Sequence, residues 1–279
     1  MKHEEGFLNE NSDAHIYHQC WLPEGDVKAV MLVVHGLAEH CGRYMNLIDH
    51  FVPQGYAVYG FDLPGHGKSH GKRLYINRFK NYTQTLAAFL DKVRTLHNDA
   101  PLFLVGHSMG SLVSAVFLTR RQEDFAGAVL SGCGAVKIPD NISSATILAG
   151  KVFSVLLPKI GLIGLDANGV SRDPSVVKAY VEDPLVHNGK TTARLAAEIL
   201  QAMGSIPGKA GRITLPILLL QGGADKLVDP AGGRMLFETV GSTDKTLKIY
   251  EGLYHEIFNE PERDQVLGDM QGWLENHLK

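Results

Sequence analysis

The decapeptide Leu102-Phe103-Leu104-Val105-Gly106-His107-Ser108-Met109-Gly110-Ser111 sets four consecutive apolar residues directly before a G-x-S-x-G pentapeptide. A short continuous apolar run reads as a strand buried on both faces. The stretch Ser111 to Arg120 that follows has a helical pattern. A strand, a tight turn and a helix in this order force the central serine into a strained backbone conformation. The flanking glycines let neighbouring chain come close without a Cβ in the way. The turn presents the Ser108 hydroxyl at the edge of a sheet, and the Met109 N–H, at the helix N-terminus, can donate to a developing oxyanion.

Working outward, further apolar runs of strand length recur at Ala29 to Val34, Ala57 to Phe61, Ala126 to Leu130, Ile217 to Leu220 and Thr246 to Ile249. Helical patterns fall between many of them, at Tyr44 to Phe51, Tyr82 to Leu96, Ala231 to Val240 and Arg263 to His277. This alternation predicts an α/β fold with a mostly parallel central sheet flanked by helices. One interval breaks the rhythm, because Leu130 to Ile217 is far longer than a single crossover needs. The expected organisation is a core of residues 1–135 and 207–279 with a cap inserted at 136–206, before the strand that leads to the candidate acid. The cap opens with Ser143 to Leu157, where Ile147, Leu148, Val152, Phe153, Val155, Leu156 and Leu157 make a helix apolar over much of its circumference. Such a helix is part of the core or a lid with a greasy face, and the two readings can coexist, one side packed and the other lining the pocket. A Gly-rich stretch, Gly161 to Gly169, and helical patterns at Pro174 to Val181 and Thr191 to Met203 complete the insertion.

A serine hydroxyl is a weak nucleophile at neutral pH and needs a histidine base, itself oriented by a carboxylate. In a fold of this kind the chain order is serine, acid, histidine. Two histidines follow the candidate acids. His255 lies in a loop directly after an apolar strand, whereas His277 sits three residues from the end of the chain, where a solvated surface role is expected. Asp225 closes Leu220-Gln221-Gly222-Gly223-Ala224-Asp225 at the carboxyl edge of a strand. Its rival, Asp229, precedes Pro230 and a helix, which suits an N-cap. Ser108, Asp225 and His255 are thus the expected catalytic residues. His35, His66 and Asp62 belong to loops after strands and are expected to hold loop geometry.

The chain has 279 residues, and its net charge of −3 gives no electrostatic reason to expect nucleic acid as a partner. Cys20, Cys41 and Cys133 are too few and too far apart for a disulfide framework, so buried thiols in a reducing compartment are expected. Met1 to Glu10 lacks the apolar core of a secretory signal, and no apolar run is long enough to cross a bilayer. A cytoplasmic location follows as the expectation, with transient membrane or micelle contact through the cap. The chemistry read here calls for no metal and no cofactor.

The run His35-Gly36-Leu37-Ala38-Glu39-His40-Cys41-Gly42-Arg43-Tyr44 follows a strand and can supply a second oxyanion donor, the Leu37 N–H, beside that of Met109. Together with Asp62 to Ser69, G-H-S-M-G, Leu218 to Asp225 and Asp244 to Gly252, it resembles the monoacylglycerol lipases of the α/β-hydrolase superfamily, close also to bacterial lysophospholipases. The resemblance runs from about Asp13 onward and weakens between Val136 and Ser171. It implies that Ser108, Asp225 and His255 form the triad, that Leu37 and Met109 form the oxyanion hole, and that Glu39, Arg43, His107 and Tyr180 line the polar end of a pocket for glycerol. The implied reaction cleaves a monoacylglycerol to fatty acid and glycerol. A lysophospholipase or general carboxylesterase is the alternative, and a noncatalytic lipid-binding protein a remote one. Either a monomer or a cap-mediated homodimer fits the sequence.

Overall fold

The computed structural model describes residues 1–8, 14–138 and 143–278. Glu10 of the charged N-terminal segment and residues 139–142 of the insertion lie outside the described residues. Strands β1 (Lys2–Leu8), β2 (Ile16–Leu22) and β3 (Ala29–Val34) lead to helix α1 (Met45–Phe51) and β4 (Tyr56–Phe61). Next come α2 (Lys80–Leu96), β5 (Leu102–His107), α3 (Met109–Leu118) and β6 (Gly127–Ser131). The insertion contains α4 (Ser144–Leu156), β7 (Gly161–Ile163), α5 (Pro174–Glu182), β8 (Thr191–Thr192) and α6 (Ala193–Ser205). The chain then closes through β9 (Ile217–Gly222), α7 (Ala231–Thr239), β10 (Lys245–Tyr250) and α8 (Arg263–Asn276).

Eight strands form one sheet in the order β1-β2-β4-β3-β5-β6-β9-β10, parallel from β4 to β10. Only β2 runs against its neighbours, in antiparallel ladders with β1 and β4. The expected mostly parallel sheet is therefore present, extended by an N-terminal hairpin that the apolar runs do not announce. β1 is Lys-His-Glu-Glu-Gly-Phe-Leu and largely exposed, so its place depends on backbone pairing rather than apolar burial. Lys2–Leu8 pairs residue by residue with Leu22–Ile16, and the His3 ring stacks on Trp21 at 5.0 Å.

Alternate residues of the central strands feed two separate cores, which is why these strands read as unbroken apolar runs. Val30, Leu32, Leu102 and Leu104 face α2 and α3, where Leu86, Leu90, Leu112 and Val113 are fully buried. Met31, Val33, Phe103 and Val105 face the opposite way, onto Leu47 and Phe51 of α1 and Met270 and Leu274 of α8. His277 follows α8 and is half-buried, with its ring stacked on Trp273 at 4.1 Å and Nε2 at 2.9 Å from Asp244. It finishes the helix against the core, where a solvated residue was expected, because its ring covers the indole at the C-terminal end.

Helix α4 of the insertion packs on α6 but leaves Leu148, Val152, Phe153, Val155 and Leu156 between 46% and 71% exposed. A core helix would bury these side chains, so that reading of the segment does not hold. Thr191 and Thr192, expected to open a helix, instead pair as β8 with β7, and α6 begins at Ala193 with Thr192 as its N-cap. Among the described residues no helix is long and apolar enough to cross a membrane.

Because the strands from β4 to β10 are parallel, the loops after β3, β5, β9 and β10 all emerge at one edge of the sheet. Close approach of α3 to that edge depends on Gly110, where an added Cβ would overlap the Val34 carbonyl oxygen. Gly110→Ala should accordingly lower unfolding stability in a urea titration by about 3 kcal/mol, at the upper end of overpacking costs because backbone rather than a rotatable side chain is in the way.

Candidate active site

Ser108 occupies the one-residue turn between β5 and α3 with φ 54° and ψ −120°, a left-handed conformation that L residues rarely adopt. Its N–H donates to the Ser131 carbonyl at 2.9 Å. The Ser111 hydroxyl braces the same turn by donating toward the Gly106 and Ser131 carbonyls at 2.9 and 2.7 Å. Gly106 leaves the room this needs, since a Cβ there would lie 2.8 Å from the Gly110 carbonyl oxygen.

The Ser108 Oγ lies 2.8 Å from His255 Nε2, and His255 Nδ1 lies 2.7 Å from Asp225 Oδ2. A carboxylate can only accept, so Nδ1–H donates to Asp225 and Nε2 is left to accept the serine proton. Asp225 is held in turn by the Leu227 and Val228 N–H groups at 2.9 and 3.1 Å on Oδ1 and by the Gln221 amide at 2.9 Å on Oδ2. Burial alone would raise its pKa, but the His255 charge, the His255 hydrogen bond and those from the Val228 and Leu227 N–H groups outweigh that and hold it below the usual carboxylate value. For His255 burial pulls downward, and the charges of Asp225, Glu256 and Glu39 leave the net shift upward. Asp229 takes no part. Its Oδ1 accepts the Ala231 N–H at 2.9 Å and its Oδ2 pairs with Lys137 at 2.8 Å, so it braces the start of α7 one residue ahead of Pro230.

Leu37 and Met109 line the same cavity as Ser108. Met109 is the first residue of α3, and an N–H at that position has no partner within its own helix. On the facing loop, Ala38 takes φ 69°, a strained conformation for a residue with a Cβ. Three ties hold that loop: the Ala38 carbonyl accepts the His187 N–H at 2.8 Å, His40 donates to Asp183 at 2.9 Å, and Asp62 accepts the Cys41 N–H at 2.9 Å. His35 accepts the Leu63 N–H at 2.9 Å and donates to the Gly36 carbonyl at 2.7 Å, in keeping with the loop-holding role expected of it.

The cavity measures about 170 Å³. Besides the catalytic candidates, Leu112, Leu165, Val170, Ile199, Met203 and Leu227 face it. Leu165, Val170, Ile199 and Met203 come from the insertion, and no sequence motif marks them. Of the expected head-group residues, Glu39, His107 and Tyr180 line this cavity, while Arg43 stands behind it and faces a smaller adjoining one. Glu256, which the sequence reading passed over, lines both. The Arg43 guanidinium donates to both Glu256 oxygens, at 2.6 and 2.9 Å, and to Glu39 Oε2 at 3.1 Å, under the Tyr180 ring at 4.5 Å. With one cation between two buried carboxylates, burial and the neighbouring Glu256 charge raise the Glu39 pKa despite Arg43. At Glu256 burial also works upward, but Arg43 prevails and lowers it. Cys133, fully buried against the Leu220 carbonyl, has its thiol pushed up to about 12 by burial and is no nucleophile.

Fold and site together define the class of protein: an α/β-hydrolase with a serine, histidine and aspartate in hydrogen-bonded sequence. The chain matches the family described as serine aminopeptidase, S33, over residues 25–262. It is 38% identical to a monoacylglycerol lipase of Mycolicibacterium smegmatis over 94% of both chains. It is also 36% identical to the phospholipase YtpA of Bacillus subtilis over 90% of this chain and 96% of that one. The crystal structure of Paleococcus ferrophilus monoacylglycerol lipase superposes with a TM-score of 0.83 at 34% identity, covering 94% of this chain and 99% of the other. The chain belongs to the monoacylglycerol lipase family of α/β-hydrolases.

Burial pulls the pKa values of His35, His66 and His107 down to about 3, so all three are neutral in the folded protein. In the unfolded chain each titrates near its ordinary value of about 6.5. Between these limits the unfolded state binds more protons, so stability is complete above pH 6.5 and is lost as pH falls toward 3. Each group adds up to roughly 1.4 kcal/mol per pH unit to that slope. Urea midpoints measured from pH 7.5 to 4.5 should fall steeply. His66→Phe should make the slope shallower by about one proton, since His66 Nε2 has no hydrogen-bond partner among the described residues.

Proposed function

We propose that this protein hydrolyses monoacylglycerols to fatty acid and glycerol through an acyl-enzyme on Ser108. The observation that carries the reading is the chain Ser108–His255–Asp225 opening into a cavity that is apolar on the cap side and polar at the Glu39, His107 and Glu256 side. His255 Nε2 takes the Ser108 proton as Oγ attacks the ester carbonyl. The Leu37 and Met109 N–H groups receive the oxyanion, and the imidazolium returns its proton to the departing glycerol oxygen. Water then enters, loses a proton to the same nitrogen and attacks the acyl carbon; as the acyl–Oγ bond breaks the imidazolium gives that proton to Ser108 Oγ, and the fatty acid leaves. Asp225 keeps Nδ1 protonated throughout and stabilises the transient cation.

A neutral head group fits the charge inventory. Arg43 is the cation nearest the polar end, and both of its faces toward the site are already committed to Glu39 and Glu256. A phosphate entering there would meet carboxylates with no free guanidinium. The same commitment argues against an aminopeptidase, whose substrate ammonium would need an unpaired carboxylate. A lysophospholipase remains the second reading, favoured by the similarity to phospholipase YtpA. Fatty-acid release from monooleoylglycerol should exceed that from a lysophospholipid at least about tenfold in kcat/KM. Ser108→Ala should remove roughly 10⁴-fold or more, and Asp225→Asn a comparable factor by freeing the wrong tautomer. Preference for the lysophospholipid would move the assignment to the second reading, and absence of any serine-dependent ester turnover would remove the enzyme reading altogether.

We further propose that residues 136–206 act as a cap, whose inner residues receive the acyl chain and whose outer apolar face makes transient contact with a membrane or micelle. Val155 and Leu156, each 71% exposed, carry that contact. Val155→Glu/Leu156→Glu should reduce turnover of monooleoylglycerol presented in vesicles several-fold and leave turnover of water-soluble p-nitrophenyl butyrate unchanged. A homodimer built through the same face would instead appear as a concentration-dependent mass in sedimentation, abolished by the same pair.

A further inference from the structure

Three segments that must keep register during the reaction meet on a single guanidinium. Glu256 follows His255 directly, and its carboxylate grips Arg43 with two hydrogen bonds of 2.6 and 2.9 Å. Arg43 reaches Glu39 at 3.1 Å, and the other oxygen of Glu39 accepts the Gly36 N–H at 2.6 Å, one residue before Leu37. Gly36 has no room for a side chain, since a Cβ there would sit 2.7 Å from Glu39 Oε1 and 3.2 Å from the Ser108 Cβ. The third segment comes from the insertion, through the Tyr180 ring over Arg43 and the Val170 carbonyl, which accepts the Glu256 N–H at 2.8 Å. Asn259 donates a further hydrogen bond at 2.9 Å to the Glu256 Oε2 that Arg43 also holds, and the Tyr44 hydroxyl one at 2.8 Å to the Glu39 Oε1 that accepts the Gly36 N–H. The cluster is thereby closed on itself, and its polar groups are spent on one another.

We infer that Glu256 is a positioning residue for His255, clamping its loop through Arg43 to the oxyanion loop, and that its negative charge stabilises the imidazolium formed when Ser108 gives up its proton. The inference rests on the serine-hydrolase reading above, but not on the choice of head group. A bidentate Arg–carboxylate pair fixes direction as well as distance, which a single point contact does not. The pair is also desolvated, with the Arg43 and Glu256 side chains 9% and 6% exposed, so its field at His255 is weakly screened.

The charged and titratable groups facing His255 can be separated by element. Asp225, after β9, bonds to Nδ1 directly, and Glu39, after β3, contributes a weaker negative field than Glu256. His107, at the end of β5, has its ring 4.8 Å from that of His255 and is kept neutral by burial. Among these, Glu256 is the residue that both raises the His255 pKa and tethers its loop.

The test uses the full-length protein and p-nitrophenyl butyrate, a simple ester without a glycerol head group, with kcat and KM followed from pH 5 to 9. The acid limb of kcat/KM reports the base in the free enzyme. Removing a negative charge beside an imidazolium lowers its pKa, so in Glu256→Gln that limb should move to lower pH by about half a unit or more. Part of the full effect is offset as Glu39, freed from repulsion, ionises more readily. The same variant should lose about 10- to 100-fold in kcat, the scale of a misplaced catalytic group, with KM within about twofold. Arg43→Lys keeps the cation but loses the fork. It should lower kcat in the same way while its acid limb stays in place.

An unmoved acid limb in Glu256→Gln overturns the inference, as does wild-type kcat in Arg43→Lys. Should Glu256→Gln not fold, as judged by circular dichroism, the kcat of Arg43→Lys decides alone. A wild-type enzyme whose p-nitrophenyl butyrate turnover survives Ser108→Ala would instead refute the underlying hydrolase reading, an outcome distinct from both.

Discussion

At Ser108 the backbone is held at φ 54° and ψ −120° against its own preference, and the surrounding structure is arranged to hold it there. Such a conformation costs on the order of 1–3 kcal/mol and survives only where neighbours over-determine it. Here the determinants are the Ser131 carbonyl on β6, the Ser111 hydroxyl in the first turn of α3, and two glycines that let the helix start lie against the ends of β3 and β5. They come from the end of β6, the end of β5 and the first turn of α3. Misregister between β3, β5 and β6 would therefore be felt first at this turn, and the parallel ladders are what prevent it.

From that fixed point the site spreads through hydrogen bonds that join loops rather than elements. Gln221, fully buried, donates to Asp225 and accepts from the Gly134 N–H, so the acid loop and the chain after β6 share one side chain. Asp62 and His35 tie the loop after β3 to the loop after β4, while His40, Ala38 and the Arg43 cluster tie it to the insertion and to the His255 loop. The insertion is thus mechanically continuous with the loop after β3. A movement of α5 would be transmitted to that loop through the Asp183 and Tyr180 contacts.

Much of the parallel core could be read from residues 102–111 and the apolar runs around them, because a strand buried on both faces cannot hide its composition. The N-terminal hairpin could not. β1 carries Lys2, His3, Glu4 and Glu5, and its pairing with β2 is made of main-chain hydrogen bonds that any sequence can supply. The same limit applies to Thr191 and Thr192, where two residues of ladder precede a helix whose N-cap they provide. In helix α4 of the insertion, apolar content alone cannot say whether the greasy face is packed or open, since that depends on what lies opposite.

That Ser108, Asp225 and His255 would meet in one hydrogen-bonded chain was legible because each sits next to a strand end and the order along the chain is constrained by the fold. The roles of Asp225 and Asp229 could be separated because one follows a strand and the other precedes a helix. Glu256 was passed over because its importance lies in what it touches across 213 residues of chain, the fork of Arg43. Likewise Leu165, Val170, Ile199 and Met203 have no motif, and only the folding of the insertion over Ser108 makes them neighbours. Local sequence determined which residues have the chemistry and where strands and turns begin. Tertiary structure alone decided which charges neutralise one another and which apolar side chains face the nucleophile, because burial and Coulomb interaction depend on distance through space.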